Sequence, residues 1–337
     1  MSTKYENTEN SGRRDQERIE GIYQVGLLSA APCFIIEPLP KKLNGEKMKF
    51  RIVLIALFCG LTMSAGFLSA QTHYPAGVEG IKGPSLPPPG VYIRDYNYMY
   101  FASKVDADEP PPSFDVFANI QAPRLIWITP LKVLGGYYGM DIIVPFAYQN
   151  LDMTGFSGSD FSLADVFVEP MTLSWHAKKF DASVGYGLWT PTGDFKATDP
   201  ISPGKGFLTQ MLTAGVTYYP DKNKTWSIAA LNRYEFNHKN DETGIRPGQY
   251  WTLEWGIGKS LTKTVEVGVT GFVQAQTTQA SGLDASMEKD HVAGIGPELN
   301  LACPKLGLST SIRYLRETGA HNRTEGNVLN LTFTRRF

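Results

Sequence analysis

The groups of this chain that could do chemistry are charged and imidazole side chains, and their spacing limits what that chemistry can be. Asp95, Asp141, Glu169, Arg233, Glu235, Glu254, Glu298, Arg313 and Glu317 all fall within short segments where polar and apolar residues alternate. In an extended segment successive side chains point to opposite faces, so these groups share the polar face of a sheet. Mixed signs on one face support either paired networks that stiffen a wall or a constriction that selects solutes electrostatically. Both readings are open for Asp141, Glu169, Arg233, Glu235, Glu254, Glu298 and Arg313. The five histidines, His73, His176, His238, His291 and His321, lack ligand spacing on any one element, so no metal site is expected. His176 reads as a solvated turn residue. A serine with a basic partner within hydrogen-bond reach, as covalent catalysis needs, is not evident on neighbouring segments. No enzymatic activity and no cofactor are expected. The sequence TPTGDF (190–195) reads as a turn opening a loop, since one carboxylate makes a poor calcium site.

The elements that must position these charges are strands. The chain of 337 residues holds 33 Gly, 16 Tyr and 18 Phe, a mix that suits strands and tight turns. Its formal net charge of -1 argues against a nucleic-acid partner. Twelve strands are predicted, at roughly 90–104, 114–129, 134–149, 160–175, 178–191, 205–219, 224–238, 248–261, 264–279, 289–301, 305–319 and 323–337. Their connections alternate between short, Lys- and Pro-rich turns and longer loops at 104–113, 150–160, 190–206, 238–248, 277–290 and 319–323. Tight turns on one side and long loops on the other, with one apolar face per strand, predict an all-β, transmembrane, antiparallel up-and-down barrel of about twelve strands. Trp251, Leu253, Trp255 and Ile257 oppose Tyr250, Thr252, Glu254 and Gly256. Tyr92, Tyr148, Trp189, Tyr218, Tyr219, Trp226 and Trp251 stand at strand ends, where barrels place aromatic girdles. Glu169–Pro170 interrupts the alternation and predicts a bulge. The terminal strand puts Leu329, Leu331, Phe333 and Phe337 on one face, and its aromatic end resembles the sorting signal read by the barrel-insertion machinery.

The first 89 residues follow a different logic. Residues 48–70 combine basic Lys49 and Arg51, an apolar run from Ile52 to Thr62, and small residues ending at Ala70. That is the pattern of a cleavable secretory signal peptide. Residues 1–47 read as an extension ahead of a misassigned start, with Met48 the true one; a translated extension lost with the signal is the alternative. Residues 71–89, rich in Pro and Gly, cannot pair regularly. They form either a plug, led by His73, Tyr74 and Pro75, or a periplasmic linker.

HYPAG (73–77), GPSLPPPGVY (83–92), LADVFVEPMTLSWH (163–176), FDASVGYGLWTPTGDF (180–195), PGQYWTLEWGIGK (247–259) and the ending ETGAHNRTEGNVLNLTFTRRF carry a family resemblance. The chain over about 73–337 resembles the outer-membrane barrel family named for a meta-pathway of phenol degradation, related to fatty-acid and aromatic-hydrocarbon outer-membrane transporters. Ala164–Asp165 departs from a Gly–Asp usual there. The resemblance implies a Gram-negative outer-membrane channel for passive uptake of small hydrophobic or aromatic compounds. A narrow porin for hydrophilic solutes and a structural or adhesive barrel with a closed lumen remain alternatives. The implied partners are outer-membrane lipid and lipopolysaccharide, the insertion machinery acting on Phe337, and a small hydrophobic solute.

Overall fold

The computed structural model describes residues 72–337, apart from 108 and 284; the segments expected to be an extension (1–47) and a signal peptide (48–70) lie outside the described residues. Strand segments form in chain order as β1 (Gly90–Val105), β2 (Phe114–Val133), β3 (Gly136–Ile143), β4 (Phe146–Met153), β5 (Phe156–Leu163), β6 (Val166–His176) and β7 (Phe180–Thr190). They continue as β8 (Thr209–Tyr218), β9 (Trp226–Asn237), β10 (Tyr250–Ser260), β11 (Val265–Gln276), β12 (His291–Cys303), β13 (Leu308–His321) and β14 (Thr324–Arg336). Each pairs antiparallel with its neighbours, and β1 closes the sheet against both β2 and β14.

The fourteen segments make a barrel of twelve strands, because two strands are broken in the middle. The lower half of β2 pairs with β3 and its upper half with β4, so β3 and β4 are one strand interrupted at Val144–Pro145. β5 and β6 are likewise one strand, interrupted at Ala164–Asp165. Proline explains the line of breaks: Pro123 and Pro145 bring no N–H to the ladder. The freed groups are met locally, by Val144 N–H donating to the Pro123 carbonyl at 3.1 Å and Ala164 N–H to the Pro145 carbonyl at 2.9 Å. The register shift between Val168 and Met171 is the bulge expected at Glu169–Pro170.

Two expectations are corrected here. Residues 150–160 are not a long loop: β4 and β5 continue through them as a hairpin turning at Gly155, which has φ 88°. The run of Asn, Asp and Ser that reads as a loop is a hairpin standing in water, where a strand needs no apolar face. Tyr92, Trp189 and Tyr219 are buried inside the barrel and are not girdle residues. Most outward positions are apolar, as with Ile93, Leu125, Val216, Ile257, Val269 and Ile295. Val91 and Trp127 face each other near the short-turn end, and Phe101 and Phe117 near the long-loop end. Ten residues of tilted strand separate these rows on β1. That spacing corresponds to about 25 Å, the height of an outer-membrane apolar band.

Candidate functional site

Residues 72–89 lie inside the barrel. They carry no regular structure, so their backbone groups need partners from the wall. The wall supplies carboxylates to the N–H groups. Glu235 accepts from His73 N–H at 3.0 Å and Tyr74 N–H at 3.1 Å, and also from the Thr72 hydroxyl. Glu254 accepts from Glu79 N–H at 3.0 Å, and Glu298 from Ile81 N–H at 2.8 Å. Donors from the wall meet the carbonyls: Arg313 reaches Gly77 and Val78 at 2.9 and 2.8 Å, Asn330 reaches Val78 at 3.0 Å, and Gln274 reaches Tyr74 at 3.1 Å. These partners sit on β9 to β14, so the segment leans on that side. The same wall makes room with small residues: a Cβ added at Gly258 would lie 2.4 Å from Ile81 Cγ2.

A charged layer crosses the lumen beside the segment. Arg124 makes a two-pronged contact with Asp141, at 2.9 and 2.8 Å, and reaches Glu169 at 3.1 Å and Glu79 at 3.4 Å. Arg233 pairs with Glu254 at 2.6 Å, Arg313 with Glu298 at 3.0 Å, and Arg323 with Asp290 at 3.2 Å. The wall carboxylates thus serve two tasks, pairing with arginines and holding the N-terminal segment.

Above this layer is a cavity of about 610 Å³. Its sides are Tyr96, Tyr98 and Tyr100 of β1, Ile120 of β2, Ile143 of β3, Phe167 of β6 and Trp189 of β7, and its floor is Thr72 to Glu79. Glu79, Arg124, Glu169 and Arg233 line both this cavity and a much smaller pocket near Leu86 and Pro87. Those four residues are the partition between the two. The indole Nε1 of buried Trp189 has no acceptor in the structure.

At the cavity's side, Asp165 ties three parts of the chain together. Its carboxylate accepts from Gly193 N–H at 2.8 Å and Lys205 N–H at 2.7 Å, and lies 2.9 Å from His73 Nε2. His73 also stacks on Trp189 and meets Phe207 edge-on. Burial acts to raise the Asp165 carboxyl, but the hydrogen bonds and charge of His73 and the two backbone donors outweigh it and hold it below the usual range. Burial pulls the neighbouring Lys205 ammonium down, against the opposing pull of Asp165 and Glu235. The loop 191–208 covers the free edge of β5 here, with Asp194 N–H donating to the Leu163 carbonyl at 2.9 Å. A Cβ at Gly193 would lie 2.7 Å from the Ala164 backbone, so glycine alone permits this approach. TPTGDF therefore does open a loop, one that folds back onto a strand break.

Asp141, Glu169, Arg233, Glu235, Glu254, Glu298 and Arg313 all face the lumen and are buried, as does Glu317. His73, Tyr74 and Pro75 line the cavity floor. Asp95 is the exception: its neighbours Tyr96 and Arg94 point inward, and Asp95 points out beside Asn97. Alternation within IRDYNYMY gives this answer once the tyrosines are set inside. Arg124 and Glu79 were not singled out from the sequence, although Arg124 alternates with inward Ala122 and Ile126. Asp165 and Trp189 carried no signal of their own role. His176 is exposed at the end of β6, as expected of a solvated turn residue, with Nδ1 3.3 Å from Asp181. Among the described residues no group of three or more His, Cys, Asp or Glu is placed to hold a metal ion.

A closed antiparallel barrel with an apolar outer band and an occupied lumen is an outer-membrane β-barrel, of the class that contains channels and porins. The chain belongs to the family described as "Putative MetA-pathway of phenol degradation", whose model matches residues 101–333. The fold is similar to the COG4313 outer membrane channel from Pseudomonas putida F1, at 14% identity and a TM-score of 0.66, over 79% of this chain and 100% of that one. The translocator domain of the autotransporter NalP from Neisseria meningitidis is similar at 10% identity and TM-score 0.48, over 86% and 98% of the two chains. The CymD monoaromatic hydrocarbon channel is similar at 8% identity and TM-score 0.40, over 74% and 89%. No curated protein sequence matches the chain.

Proposed function

We propose that the protein is an outer-membrane channel for passive uptake of small hydrophobic, aromatic molecules, serving the catabolic setting its family name describes. The observation that carries this reading is the cavity of about 610 Å³, walled by Tyr, Phe, Trp and Ile and floored by the N-terminal segment. Its volume is ample for a small ring compound, and its aromatic side offers that ring an apolar surface beside the charged residues that also line it. Such compounds need a channel because the polar lipopolysaccharide leaflet obstructs them before they reach hydrocarbon. Solute enters between the outer loops and rests against the tyrosines of β1. It passes the Glu79–Arg124–Glu169–Arg233 partition when residues 72–89 shift. Asp141, Glu169, Arg233, Glu235, Glu254, Glu298 and Arg313 act as the constriction and as the grip on that segment, with His73, Tyr74 and Pro75 as the plug's upper face. Lipid and lipopolysaccharide surround the outward band, and Phe337 at the end of the last strand serves the insertion machinery. The P. putida relative is a channel, and this reading assigns no catalytic role to any residue.

The test is uptake by liposomes holding the mature chain. A labelled toluene or phenol analogue should enter faster than in protein-free liposomes, with little leakage of a small sugar. Sugar entering as readily as the aromatic would replace this reading with that of a narrow hydrophilic porin. Flux of neither would favour a structural barrel.

A further inference from the structure

β1 and β2 turn a polar patch toward lipid. Asp95, Asn97, Asn119 and Gln121 point outward midway between the Val91–Trp127 row and the Phe101–Phe117 row. Register brings them together: Asn97 lies opposite Gln121, Met99 opposite Asn119, and Asp95 opposite Pro123. The Asp95 Oδ2 accepts from Gln121 Nε2 at 2.6 Å and from Asn97 Nδ2 at 3.4 Å. Its Oδ1 is shielded and has no partner, and it is one of few buried polar atoms so left in the described residues. Asn119 makes no side-chain hydrogen bond. On the far wall the outward amide Asn232 stands alone and accepts from the Trp251 indole at 3.3 Å.

A carboxylate and three amides facing hydrocarbon are costly unless polar groups from outside the chain meet them. What meets them can be read from the patch itself. Asn97 and Gln121 each commit one N–H to Asp95 and keep a second. Asn119 keeps its whole amide, and three side-chain carbonyl oxygens remain as acceptors. Donors and acceptors are therefore balanced within one patch, which is what a two-fold interface requires, since the same surface appears on both sides. Within lipid, polar side chains are the groups that join spanning segments, because apolar contacts there give no net hydrophobic gain. We infer that β1 and β2 are the docking face for a second copy of this chain, with the uncommitted amide N–H groups of Asn97, Asn119 and Gln121 in each copy donating to the side-chain carbonyl oxygens of the other, and Asp95 fixing the orientation of the amides beside it.

The experiment uses the full chain in native outer membranes, with Cys303→Ser to remove the exposed native thiol. Met99→Cys on the patch is compared with Val269→Cys on a distant outward position, each treated with a short thiol cross-linker. The expected result is a covalent product of twice the chain mass from Met99→Cys, in yield about tenfold above Val269→Cys. Adding Asp95→Leu, Asn97→Leu and Gln121→Leu should bring that yield to the control level, a loss of about tenfold in association (about 1.4 kcal/mol). A heat-dependent gel shift verifies that the barrel still folds, and Asn119→Leu alone, with partial loss, gives the reading if the triple variant does not fold. Equal yields at positions 99 and 269, a dimer indifferent to all four substitutions, or capture of a different protein at Met99→Cys would each overturn the inference.

Discussion

The two sides of this barrel solve opposite problems. From β9 to β14 the strands run unbroken, and their inward Glu235, Glu254, Glu298, Arg313 and Asn330 hold the N-terminal segment by its backbone. From β1 to β7 the wall is interrupted at Val144–Pro145 and Ala164–Asp165 and shifts register at Glu169–Pro170. That side meets the segment mainly through side chains, Arg124 and Tyr96 on Glu79 and Asp165 on His73, and the cavity opens beside these contacts. A continuous ladder gives rigid, evenly spaced polar groups that can grip. A ladder broken by prolines bends away and must find new partners for its freed backbone, which Pro123, Pro145 and Asp165 provide. One wall therefore clamps and the other makes room.

The strongest way to break this contrast is to loosen the clamp. Arg313→Met leaves Glu298 buried without its guanidinium and removes the Arg313 donations to the Gly77 and Val78 carbonyls, leaving only Asn330 on Val78. Breaking one partner of a buried pair costs about 3–5 kcal/mol. Sugar leakage from proteoliposomes should rise by more than tenfold. Unchanged leakage would mean the segment is held from the cavity side instead.

Asp165→Ala attacks the other wall, removing the acceptor for two backbone N–H groups and for His73. Hydrogen bonds to a charged acceptor contribute about 1.5–3 kcal/mol each, so the loop 191–208 should become open to protease while the barrel stays folded. The same contact carries a pH dependence. A carboxyl whose folded pKa is depressed contributes stability above its unfolded value, near 3.9, and loses it as pH falls through the folded value. Loop protection should therefore hold from neutral pH down to about 4 and fail only below that. The groups facing Asp165 are His73 and Lys205; release already complete above about pH 5 would show that the Asp165 carboxyl is not the controlling group.

Gly258→Leu sharpens the fit of the clamp by filling the space taken by Ile81. Overpacking of this kind costs about 1–3 kcal/mol, and it should raise sugar leakage less than Arg313→Met. Smallest of all is Trp189→Phe, which keeps a ring in the cavity and removes an N–H that no protein group accepts. Aromatics carrying an acceptor oxygen should lose up to about tenfold in uptake, and toluene should be unaffected. Equal losses for both would show that the indole acts only by its shape.

Much of the wall was legible because its physics is local. Alternation places Arg233, Glu235 and Glu254 inside and Trp251, Trp255 and Ile257 outside, since a strand offers only two faces and lipid accepts one of them. The bulge at Glu169–Pro170 was legible for the same reason, as a change of parity. Asp95 turns outward despite its charge because its parity is opposite to that of Tyr92, Tyr96 and Tyr98 on the same strand. The hairpin at 150–160 leaves no such signal, because a strand in water obeys no apolar period.

The sequence by itself determined the barrel, its strand count, and the sidedness of its connections, since each follows from period-two patterning and turn chemistry within a few residues. Only the tertiary structure decided that residues 72–89 lie in the lumen, that wall carboxylates cap their backbone, and that Asp165 joins His73 to the loop at Gly193 and Lys205. Those contacts link positions such as Tyr74 and Glu235, 161 residues apart. No local pattern encodes such a pairing; it arises when ring closure brings distant strands around one irregular segment with unpaired backbone groups.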